Sequence, residues 1–65
     1  MAQRKQDKEF NHGYVQGYEL AKYYPSQDPH RSIRERGIGF RTKYAVGFLL
    51  GWKHCKDGLP QKYFD

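Results

Sequence analysis

The chain has 65 residues, a formal net charge of +5 and 17% aromatic residues, which allows one small domain with a core worth about 3–5 kcal/mol unless something staples it. Its single cysteine, Cys55, excludes an internal disulfide, and no apolar run is long enough to suggest a membrane span. His12, His30 and His54 lie too far apart in sequence to read as a metal-ligand cluster, so neither metal nor cofactor is expected.

Residues 1–6 are polar and are expected to fray, with Arg4, Lys5 and Lys8 as a basic arm. No apolar segment follows Met1-Ala2-Gln3-Arg4-Lys5, so no secretory signal is expected; with the lone cysteine this points to a cytoplasmic protein. From Asp7 to Tyr24, the positions Phe10, Tyr14, Gly17, Tyr18 and Ala21 recur at helical steps. Asp7 and Glu9 suit the positive end of that helix and Lys22 its negative end. Pro25 ends it, because the residue before a proline is pushed away from helical geometry.

Asp28-Pro29 reads as an N-cap followed by proline at the first helical position, which predicts a short helical turn over residues 30–36. Gly37 and Gly39 stop it. The charge also concentrates here: Arg31, Arg34, Arg36, Arg41 and Lys43 face only Glu35 within residues 30–43. A second long helix is predicted from Arg41 or Thr42 to Lys56, with Gly58 as its C-cap and Pro60 beyond. Its apolar stripe is Tyr44, Gly47, Phe48, Gly51, Trp52 and Cys55, broadened by Val46, Leu49 and Leu50 toward burial on more than one side. A strand over residues 44–52 competes, since aromatics and Val favour sheets, but the run does not alternate and holds two glycines. The tail, Leu59–Asp65, can close over the helices as a lid or hang free, with residues 60–65 as its flexible part, and the sequence leaves both open.

One pattern occurs twice: Gly13-Tyr14-Val15-Gln16-Gly17-Tyr18 and Gly47-Phe48-Leu49-Leu50-Gly51-Trp52. Glycine inside a helix costs about 1 kcal/mol against alanine, so four such glycines imply close approach of two helix backbones. Gly13, Tyr14, Gly17, Tyr18, Gly47, Phe48, Gly51 and Trp52 are therefore read as the helix–helix seam. Exposed aromatics stacking on bases are the competing reading. The arginine-rich connector is the best functional candidate, because the guanidinium fork matches phosphate oxygens. Lys53 and Lys56, with His54 between them, offset the helix dipole or extend that basic face.

Catalysis has little to stand on. Ser26 and Ser32 lack a supporting triad spacing, and Cys55 beside His54 reads as a small core residue rather than a thiolate. Neither a phosphate loop nor a dinucleotide fingerprint is present. The protein is read as a non-enzyme.

At its two glycine–aromatic motifs the chain resembles the ribosome modulation factor family, very small basic bacterial proteins with relatives in phages and other mobile elements. The family's Gly-Tyr-x-Ala-Gly is matched by residues 13–17, with Gln16 in place of alanine. Its Trp-Leu-x-Gly-Trp-basic is matched by Phe48-Leu49-Leu50-Gly51-Trp52-Lys53, with phenylalanine for the first tryptophan. Asp28-Pro29-His30 is a loose counterpart of the family's Pro-aromatic pair, within a connector that is longer here. The resemblance implies a two-helix protein that binds the small ribosomal subunit, contacts ribosomal RNA and promotes inactive ribosome dimers in starvation.

The sequence thus predicts an all-α single domain, an antiparallel two-helix hairpin with a short helical turn in a basic connector. Its expected function is non-enzymatic RNA or ribosome binding that modulates translation. Arg31, Arg34, Arg36, Arg41, Lys43, Lys53 and Lys56 are the expected nucleic-acid contacts. The alternative is a phage or plasmid effector that binds and inhibits a host protein through an aromatic and basic surface. DNA reading is disfavoured, because a recognition helix lined by Gly47 and Gly51 offers few base contacts. Oligomerisation could supply stability that so small a core lacks.

Overall fold

The computed structural model describes residues 8–64, and its regular elements are three helices. These are α1 (Lys8–Tyr23), α2 (Pro29–Glu35) and α3 (Lys43–Lys56). Expectations for residues 1–6 and Asp7 lie outside the described residues. The segment 44–52 is helical, not strand.

Capping chemistry sets the boundaries after α1. Asp28 caps α2 by accepting a hydrogen bond from the His30 N–H at 3.0 Å, with Pro29 in the first turn. Gly37 takes φ +71°, and the Gly37 and Ile38 amides donate back to the Arg34 and Ile33 carbonyls. That paired closure satisfies carbonyls the helix end leaves open. The end of α3 repeats it: Gly58 has φ +76°, with Gly58 and Leu59 donating to Cys55 and His54. Thr42 caps α3 through its hydroxyl, which accepts from the Ala45 N–H at 3.2 Å. Gly39, expected to help stop α2, instead offers its carbonyl to the Thr42 N–H and hydroxyl.

The two long helices pack through all four repeat glycines. A Cβ at Gly13 would overlap the Tyr44 carbonyl, and one at Gly17 the Phe48 carbonyl. Reciprocally, Gly47 faces the Phe10 carbonyl and Gly51 the Tyr14 carbonyl. The seam expected from the repeat is present, but its direction corrects the antiparallel hairpin. Positions 13 and 17 meet 44 and 48 in the same order, so α1 and α3 run parallel. The polar contacts agree. Glu9, near the start of α1, accepts from the Tyr44 N–H at the start of α3, and Lys56 at the end of α3 donates to the Pro25 carbonyl beyond α1.

The connector explains the parallel order. A helix of 16 residues is about 24 Å long, and a short loop between two such helices imposes antiparallel neighbours. Residues 24–42 instead carry the chain back, and α2 is part of the return. Pro29 and His30 lie beside Trp52, Lys53 and Lys56, whereas Arg36 reaches Tyr44 and Phe48. Thus α2 runs opposite to α3.

The core lies where the three helices meet. Tyr14, Phe48, Ile33 and Ala45 are fully buried and Ala21 nearly so. Leu20, Ile38, Tyr44 and Leu49 pack against the cluster of Ile33, Ala45 and Phe48. Ile33 is what fastens the connector, and the glycine repeat gave no hint of it. Val46 is exposed, which corrects its place in the widened stripe; Leu49, Leu50 and Cys55 are half-buried.

The tail folds back over the helix pair. Leu59 accepts a hydrogen bond from the Tyr18 hydroxyl at 2.6 Å, and the Lys62 N–H donates to the Tyr14 hydroxyl at 3.0 Å. The Tyr63 ring stands edge-on to Phe10 and Tyr14, at 5.3 and 5.1 Å between centroids. Phe64 remains exposed.

Candidate nucleic-acid interface

The basic residues are positioned by the packing of α2. Pro29 and Ile33 turn inward, so Arg31 and Arg34, on the other faces of the same short helix, are left exposed. Arg31 pairs with Glu35 at 3.0 Å, an open i,i+4 contact worth little to stability and easily exchanged for a phosphate. Arg41 is exposed in the loop before α3, and Lys43 is exposed in its first turn.

Arg36 differs from the other arginines. Its Nη1 donates to the Tyr44 hydroxyl at 3.1 Å, and its guanidinium lies 5.3 Å from the centre of the Phe48 ring. These contacts give it a role in holding the connector against α3.

Packing also joins two segments distant in sequence. The N-terminal end of α2 and the C-terminal half of α3 enclose an open cleft of ≈ 500 Å³, lined by Pro29, His30, Leu49, Trp52, Lys53, Lys56 and Asp57. Lys53 lies 3.4 Å from Asp57, and the Lys56 ammonium is 5.5 Å above the Trp52 ring. The His30 ring stacks on Phe40 at 5.9 Å. His30, Pro29 and Leu49 were not among the expected site residues. The Asp28-Pro29 cap fixed His30 in the first turn of α2, but only the return of the connector sets it beside Lys53.

The seam residues are mostly removed from solvent. Tyr14 and Phe48 are fully buried and the four repeat glycines are buried; Tyr18 and Trp52 are half-buried. Trp52 therefore belongs partly to the cleft, and its indole nitrogen is buried without a hydrogen-bond partner.

No protein-family model matches the chain, and no curated protein or solved structure matches it either. No His, Cys, Asp or Glu cluster among the described residues could hold a metal ion, and no described helix is long and apolar enough to cross a membrane.

The Tyr14 hydroxyl joins the helix pair to the tail. It sits 2.6 Å from His54 Nδ1 while accepting from the Lys62 N–H. Burial pushes the Tyr14 phenol up from its ordinary value of 10.0; the Lys62 hydrogen bond opposes this, and Tyr18 and Tyr63 reinforce it. The hydroxyl is a structural latch that ties α1 to His54 of α3 and to the tail.

Proposed function

We propose that the protein is a non-enzymatic RNA-binding protein, acting on ribosomal RNA or the ribosome to modulate translation. The observation that carries this reading is the exposure of cations on two adjoining segments: Arg31 and Arg34 on α2, whose first-turn residues Pro29 and His30 line one cleft with Lys53 and Lys56 of α3. A surface of arginines and lysines with an accessible aromatic ring matches the chemistry of phosphates and bases. The resemblance to the ribosome modulation factor family points the same way, although its matching residues lie in the seam.

Arg31, Arg34, Arg41, Lys43, Lys53 and Lys56 then make the phosphate contacts, while Arg36 positions the connector. The test is a triple variant, Arg31→Ala, Arg34→Ala and Arg41→Ala, which leaves Arg36 and the core intact. Its affinity for ribosomal subunits or structured RNA should fall, and the slope of log affinity against log salt should flatten by roughly one per lost phosphate contact. Wild-type affinity and slope in that variant would overturn the reading.

A second reading has an observation of its own. Tyr23 and Tyr24 are each 62% exposed and Phe64 is 64% exposed, and large exposed aromatics suit a protein partner. An effector that inhibits a host protein would use them. Capture of a partner that survives nuclease treatment and is lost in a Tyr23→Ser, Tyr24→Ser variant would favour this alternative.

A further inference from the structure

We infer that the cleft between α2 and α3 receives an unpaired nucleotide, its base against Trp52 and its phosphate at Lys53 and Lys56. This deepens the RNA-binding reading and rests on it. The cleft combines two features that a duplex cannot use together. Its apolar wall is made by Pro29, Leu49 and the half-buried Trp52 ring, whereas its rim carries His30, Lys53 and Lys56. A phosphodiester surface can meet the rim alone. Only a base splayed out of a strand also reaches the wall, where stacking on an aromatic ring tolerates any sequence.

Charge complementarity sets the orientation. Asp57 lies 3.4 Å from Lys53 and Asp28 lies 3.6 Å from the His30 ring, so a phosphate enters from the Lys56 side and reaches Lys53 by displacing the exposed Asp57 contact. The Lys56 ammonium already lies over the Trp52 ring and donates to the Pro25 carbonyl. Both contacts are exposed and weak, so an arriving base displaces the ammonium toward its own phosphate. His30, held against Phe40, closes the opposite side.

Trp52 is the only tryptophan in the chain, so its fluorescence reports on this cleft without added label. The experiment titrates the full chain with a short unstructured oligouridylate and, separately, with a blunt-ended, two-stranded RNA duplex of equal phosphate number. Trp52 emission and the anisotropy of labelled RNA are followed together. The single strand should quench Trp52 with the midpoint of the anisotropy curve, and the duplex should not. A Lys53→Gln, Lys56→Gln variant, with both changes on exposed side chains, should keep its helical circular dichroism and lose about fivefold or more in single-strand affinity. Single-strand binding with unchanged Trp52 emission, wild-type affinity in the double variant, or tighter binding of the duplex would each overturn the cleft as a nucleotide site while leaving RNA binding by the connector in place. Failure of both RNAs to bind would overturn both readings.

Discussion

Gly17 and Gly39 differ in what a methyl group would meet, and that difference isolates the role of the seam. At Gly17 the added Cβ would overlap backbone of Phe48, which no rotamer change can relieve; at Gly39 the nearest atom is the Thr42 methyl at 3.6 Å. Gly17→Ala gains about 1 kcal/mol of helix propensity but forces α1 and α3 apart, a cost of about 1–3 kcal/mol or more. Denaturant unfolding should show Gly17→Ala destabilised despite its better propensity, with Gly39→Ala within about 0.5 kcal/mol of wild type. Tyr14 gives a second prediction at this scale. Its phenol is raised in the folded state, so stability from the retained proton is full below the unfolded value of 10.0 and is lost as pH rises through the folded value. Thermal midpoints should therefore fall above about pH 10, and the Tyr14 part of that fall should vanish in Tyr14→Phe. That variant is less stable at neutral pH, because it leaves the Lys62 N–H and His54 without their shared partner.

Among the elements, α2 depends most on tertiary contact. Seven residues are too few for a helix to persist alone in water, and its caps at Asp28 and Gly37 only define its ends. Ile33, fully buried between Ala45 and Phe48, supplies the attachment. Ile33→Ala should cost about 2–5 kcal/mol and speed hydrogen exchange across α2, whereas Arg34→Ala on the exposed side should change stability by less than about 0.5 kcal/mol. The boundaries of α2 and α3 were legible because they rest on local chemistry: proline, an Asx or Thr cap, and glycine at positive φ. The return path of α2 was not legible, since Ile33 is one apolar residue in a charged stretch and carries no period.

For the molecule as a whole, parallel α1 and α3 place two helix N-termini side by side and two C-termini side by side. Glu9 offsets the first pairing by accepting from the Tyr44 N–H, while Lys22, Lys53 and Lys56 stand in the last turns of the second. The same arrangement gathers cations at the C-terminal end of α3 and brings α2 to meet them. The tail then covers the other side through Tyr63 and the Tyr14 hydroxyl, which adds aromatic area to a core of few residues. The proposed RNA binding should weaken steeply with salt at this scale, because it would sum over cations from both segments, and a salt titration of the affinity checks it.

By itself the sequence determined three helices, their caps and a glycine-lined contact between the long pair. These follow from interactions a few residues apart, or from the cost of glycine where nothing local requires it. Tertiary structure alone decided the direction of that contact, the anchoring of α2 by Ile33, the fold-back of the tail and the meeting of His30 with Lys53 and Lys56. Each depends on which surfaces exclude water together once the connector has turned back. A repeat of Gly-aromatic-x-x-Gly-aromatic fits parallel and antiparallel partners equally well, and only the path between its two copies distinguishes them.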